Sequence, residues 1–173
     1  MNILVSLLIA FHVFGENPDQ ESLAKVRRIR EQIDREFKNN EDLTASRIEL
    51  NSIYGSVDPQ HWVPTDLLTK ALSFFEKNKS KFKNKNYITI VDFSQRSDQY
   101  RLFFINLQTG NVERYHTTHG EGSDVNRDGY AEIFANIPNS KKSSLGFVRT
   151  AEVYNCTFGR SLRLDGLSST NSR

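Results

Sequence analysis

The sequence predicts an α+β fold: two N-terminal helices followed by a mainly antiparallel β-sheet. Two apolar stripes at helical spacing lie before residue 80. From Tyr87 onward the pattern changes to β-branched and aromatic runs separated by turn residues, and that change of period separates helix from strand.

The first element is an apolar run, Ile3–Phe14, broken only by Ser6 and His12. It falls short of the roughly 20 apolar residues that a spanning helix needs. It fits the core of a secretory signal over residues 1–15, with Val13 and Gly15 as small residues ahead of Glu16. The alternative is a buried first strand or helix. The mature chain would then carry no stable membrane span and would be exported to the periplasm or cell envelope. Residues 16–62 read as a helical extension. Asn17-Pro18-Asp19-Gln20 is a helix start, and Leu23, Val26, Ile29, Ile33 and Phe37 form one stripe. Residues 41–62 are poorly patterned. Pro64 opens the second helix, with Leu67, Leu68, Ala71, Leu72 and Phe75 on one face. Lys77 to Asn86 then carries five lysines; such a run is most often a solvated helix end, and it is also a candidate contact for an anionic surface.

Three strands follow: Tyr87–Phe93, Tyr100–Leu107 and Val112–Thr118. Thr109-Gly110-Asn111 supplies a hairpin turn, so the three form an antiparallel meander. Residues 119–166 alternate apolar positions with Gly, Ser, Asn and Asp, a mixture that suits short strands joined by shaped loops. Such loops are where binding groups usually sit.

Composition narrows the function. There are 23 basic and 21 acidic residues, for a net charge of +2, which gives no electrostatic ground for nucleic acid as a partner. No cofactor motif occurs. Asp124-Val125-Asn126-Arg127-Asp128-Gly129 matches the first half of a calcium loop, but Ala135 stands where the bidentate Glu belongs. The favoured reading is a turn whose side chains bond their own backbone. His116 and His119 are three apart, so strand alternation points them to opposite faces. With no Cys and His cluster beside them, no metal site is expected. Cys156 is the single cysteine and cannot form an internal disulfide. Its neighbours offer neither a base nor oxyanion donors, so it reads as a tolerated loop residue.

The blocks VPTDLLTKAL, ITIVDFSQRSDQYRLFFINLQTG, THGEGSD, SSLGFVRT and GRSLRLDGL together resemble the front part of the murein L,D-transpeptidase catalytic-domain family, in its larger bacterial branch. The resemblance runs from Val63 to Leu167, within a domain read as residues 63–173, and implies an exported protein whose partners are peptidoglycan stem peptides. It also implies acyl transfer by a cysteine thiolate with a histidine base. Family members continue into a strand ending in His-Gly and a Ser-x-Gly-Cys-Pro block that carries the nucleophile. No Gly-Cys-Pro occurs in residues 1–173. The expectation is therefore a truncated domain with no catalytic residue of its own and an open edge or exposed apolar surface near Ser161–Leu164. By resemblance the residues that shape the substrate cleft are His119, Gly120, Ser143, Ser144, Gly146 and Arg163. The alternative is an envelope module that binds peptidoglycan without reacting.

Overall fold

A computed structural model of the chain describes residues 47–157 and 159–172, together with 6–7, 24, 27–28 and 31. Most of the expected first helix, including its apolar stripe and its cap at Asn17, lies outside the described residues. Ala24, Arg27, Arg28 and Glu31 are helical, and Arg27 Nε meets Glu31 Oε1 at 3.2 Å, the i,i+4 pair expected of an exposed face.

Helix α1 spans Arg47–Tyr54, within the stretch that reads as unpatterned. Among its described side chains Leu50 and Tyr54 are buried, while Ile53 is exposed; two positions one turn apart give too little periodicity to recognise. Helix α2 spans Thr65–Asn78, with Pro64 at its N-cap. Leu67, Ala71 and Phe75 on its inner face are fully buried, and Leu72 nearly so. Tyr54 of α1 donates to the Glu76 carboxylate of α2, and Lys79 Nζ meets the same carboxylate at 2.7 Å. Burial alone would raise Glu76, but the hydrogen bonds from Lys79 and Tyr54 outweigh it and hold the carboxyl below its ordinary range. The lysine run leaves α2 through one 3-10 turn, Lys79–Lys81. Phe82 then folds back into the core and stacks on Phe75.

The main sheet has the order β1-β2-β3-β4, from Ser6–Leu7, Tyr87–Val91, Leu102–Asn106 and Val112–Tyr115. Strands β2, β3 and β4 form the expected antiparallel meander, with Ile90 opposite Phe103 and Ile105 opposite Val112. Strand β1 departs from that pattern: Ser6 and Leu7 lie parallel to Thr89 and Ile90. In the β3–β4 turn Gly110 has φ +77°, and a Cβ there would meet Ser56 O at 2.1 Å, so only glycine lets the turn reach the loop after α1.

Residues 116–147 form no strand, although Tyr130, Ile133 and Phe134 suggest one. The segment contains a single 3-10 turn, Glu121–Ser123. Some of its backbone N–H groups donate to serine and aspartate side chains and others to isolated carbonyls such as Ser123 O and Ser143 O, while Ala131, Leu145 and Phe147 reach the core. Phe147 stacks on Phe74 of α2 with ring centroids 3.6 Å apart.

The chain then forms a separate two-stranded sheet of β5, Val148–Cys156, and β6, Gly159–Gly166, with a register shift between Thr150 and Val153. One face is charged: Arg149 pairs with Asp165 and Arg163 with Glu152. The other face presents Val153, Leu162 and Leu164, each 42–50 % exposed. This is the exposed apolar surface that the sequence leads one to expect. The base of the hairpin is tied to the core. Leu167 N–H donates to Phe147 O at 2.8 Å. Asn171, buried, donates to the same oxygen at 2.9 Å and accepts from Ser168 N–H at 2.9 Å.

Candidate functional site

Alternation places two charged residues on the buried face at one end of the main sheet. Asp92 continues the face of Ile88 and Ile90, and Arg101 that of Phe103 and Ile105. Both are fully buried, and Asp92 N–H donates to Arg101 O at 2.7 Å. The Asp92 carboxylate orders the turn after β2, accepting from Ser94 N–H and Oγ–H and from Gln95 Nε2. Arg101 Nη1 donates to Gln95 O at 2.8 Å. Its Nε and Nη2 donate to Thr117 O at 3.0 and 2.7 Å. The guanidinium also lies over the Phe93 ring, 5.0 Å from its centroid. Burial lowers the Arg101 pKa to about 10, against the opposing charges of Asp92, Asp98 and Asp124. It therefore stays protonated at neutral pH and can only donate.

That fixes His119. Arg101 Nη2 lies 2.9 Å from His119 Nδ1, so Nδ1 is the acceptor and the ring proton sits on Nε2. Nε2 is 3.4 Å from Asp124 Oδ2, and both side chains are about nine-tenths buried. Asp124 also accepts the N–H groups of Asp128 at 3.1 Å and Gly129 at 2.9 Å. Asp128 accepts from Tyr130 N–H. The DxNxDG carboxylates are thus turned onto their own loop, where Gly129 has φ +92°. Among the described residues no group of three or more His, Cys, Asp or Glu is placed to hold a metal.

Beyond His119 the chain runs against the segment 140–144. Gly120 N–H donates to Ser143 Oγ at 2.9 Å, and Ser143 N–H to the buried Ser123 Oγ at 2.8 Å. A Cβ at Gly120 would sit 2.3 Å from Lys141 O, so this approach requires glycine. The structure therefore brings His119, Gly120 and Ser143 together, with Ser144 next in the chain. Gly146 is at the base of the hairpin, with φ +122° and Ser168 and Asn171 against it. Arg163 lies out on the hairpin, paired with Glu152 and over the Tyr154 ring. Cys156 is exposed on the same hairpin, with Sγ 3.2 Å from Ser161 Oγ. His116 turns outward onto Tyr100 while His119 turns inward.

Residues 59–173 match the model of the L,D-transpeptidase catalytic domain. The chain belongs to that family. No curated protein and no solved structure matches it.

Within this L,D-transpeptidase domain, Arg101 and Asp92 hold the candidate site in shape, and motif reading passes over both. The signal is present all the same. In YRLFFINL and YITIVDF each charged residue falls at the parity of the buried positions, and a charge at that parity must find partners inside the protein.

Proposed function

We propose that the chain is a peptidoglycan L,D-transpeptidase-family protein of the cell envelope that engages stem peptides, and that residues 1–173 alone do not catalyse acyl transfer. The match over residues 59–173 carries this reading. In the family a cysteine thiolate attacks the stem peptide, and such a step needs a base for the thiol proton and donors for the oxyanion. Cys156 lies on an exposed hairpin. His119 is buried with Nδ1 committed to Arg101 and Nε2 facing Asp124, so it is poorly placed to take a proton from that thiol. On this reading His119, Gly120, Ser143, Ser144 and Gly146 shape the cleft, and Arg163 contributes from the hairpin.

A second reading is a binding module that holds peptidoglycan without turnover. Lys77, Lys81, Lys83 and Lys85, all exposed, favour it as added contacts to an anionic wall. Incubation with tetrapeptide-bearing murein tests both. Release of a D-amino acid that is lost on Cys156→Ala would overturn the claim of inactivity. Retention on murein without release supports the binding module. An open frame beyond Arg173 encoding Ser-x-Gly-Cys-Pro would make these residues part of an active enzyme. Export belongs to the same proposal, with cleavage near Gly15 that would remove Ser6–Leu7 and leave β2-β3-β4 of the main sheet, and intact Met1 on protein recovered from the native envelope would count against it. No helix among the described residues is long and apolar enough to cross a membrane.

A further inference from the structure

The network around His119 makes no use of a second cluster at the edge of the main sheet. Arg114 on β4 pairs with Phe103, so it shares that residue's face at the end of the strand. Its guanidinium carbon lies 3.9 Å from the centroid of the Trp62 ring and 5.4 Å from that of Tyr100. Tyr100 stacks in turn on His116, with centroids 4.3 Å apart and planes 22° apart. Trp62, Arg114, Tyr100 and His116 are all exposed.

The arrangement is built rather than casual. Trp62 is held by Asp58, a buried residue whose carboxylate accepts the N–H groups of Trp62 at 3.0 Å and Val63 at 2.8 Å. Asp58 N–H donates to Gly110 O at 2.9 Å, which docks the loop on the β3–β4 turn. Asp58 and His61 have φ of 58° and 54°. That conformation is unfavourable for residues with a Cβ and persists where surrounding contacts over-determine it. Two aromatic rings lie near the Arg114 guanidinium, but its N–H groups lie in its own plane. Among the described residues none of them meets a hydrogen-bond acceptor. The neighbouring Glu113 and Tyr115 project to the other face of β4 and bond each other.

A guanidinium clamped beside aromatic rings has already lost much of its rotamer freedom. Its two-pronged edge matches the two oxygens of a carboxylate, and pre-ordering makes that match tighter. We propose that Arg114, held by Trp62 and Tyr100, is a subsite for a carboxylate of the peptidoglycan stem peptide. The choice of ligand rests on the proposed function; the anion site does not.

The test follows the Arg114 Nε–H resonance by NMR on the full chain. The titrants are acetate, inorganic phosphate, and a murein tetrapeptide as the free acid and with its carboxylates amidated. Acetate is expected to shift the resonance. The free acid is expected to bind about tenfold tighter than the amidated peptide, and Arg114→Gln to remove that difference. Arg114→Lys keeps the charge without the fork and should restore little of it. Trp62→Ala should weaken binding of the free acid several-fold. An unmoved resonance with acetate, or an Arg114→Gln chain that still prefers the free acid, overturns the subsite. A response to acetate without binding of either peptide overturns the stem-peptide assignment and the peptidoglycan reading, and leaves the oxyanion site standing. Phosphate binding well above the free acid overturns the carboxylate assignment alone.

Discussion

Strands β2–β3 and β5–β6 are both antiparallel pairs with apolar residues on alternate positions, yet they meet different fates. In the first pair Ile88, Ile90, Phe103 and Ile105 are 0–2 % exposed, packed in one core with Leu67, Ala71 and Phe75 of α2. In the second pair Val153, Leu162 and Leu164 remain close to half exposed. Alternation decides which side chains share a face. Whether that face leaves water depends on an element that covers it, and burial is where the stabilisation arises, about 1.5–3 kcal/mol for each large apolar side chain. The hairpin instead relies on its cross-strand bonds, its ion pairs and its tied base.

The comparison can be broken by mutation. Phe75→Ala, which removes a fully buried ring against Phe82, is expected to cost about 3–5 kcal/mol in urea unfolding. Asn171→Ala removes the clamp between Phe147 and Ser168 and should cost about 1–3 kcal/mol. Faster amide exchange should then be concentrated in Val148–Gly166. Leu164→Ser should change stability by less than about 0.5 kcal/mol. A Leu164→Ser cost like that of Phe75→Ala would mean that the apolar face of the hairpin is covered in solution.

The legible parts of the fold were those with a repeated signal. Helix α2 shows its inner face four times, at Leu67, Ala71, Leu72 and Phe75, and the meander is punctuated by Gly110. Among its described side chains helix α1 offers Leu50 and Tyr54, too few to establish a period. In residues 116–147 strand-like apolar residues do not mark a strand, because isolated loop carbonyls at Ser123 and Ser143 and the side chains of Ser123 and Asp124 take the backbone N–H groups in place of a ladder. His119 and Gly120 were recognisable as a point of close approach. That the imidazole would be locked from behind was not evident from His119 itself, since Arg101 lies 18 residues earlier in the chain. The Arg114 cluster was hidden for a similar reason. Trp62, Tyr100 and Arg114 come from three segments: the β3–β4 pairing brings Tyr100 and Arg114 together, and the Asp58–Gly110 bond docks the Trp62 loop beside them.

That loop has an optical consequence. Trp62 is the only tryptophan in the chain, so its emission originates from a single indole stacked on a single guanidinium. Intrinsic fluorescence therefore reads the contact between one loop and one edge strand, with no label attached. Far-UV dichroism reads the helices and the sheet as a whole. If the loop lifts from the Gly110 turn before the core around Phe75 opens, the two signals will follow different curves through the same denaturant series.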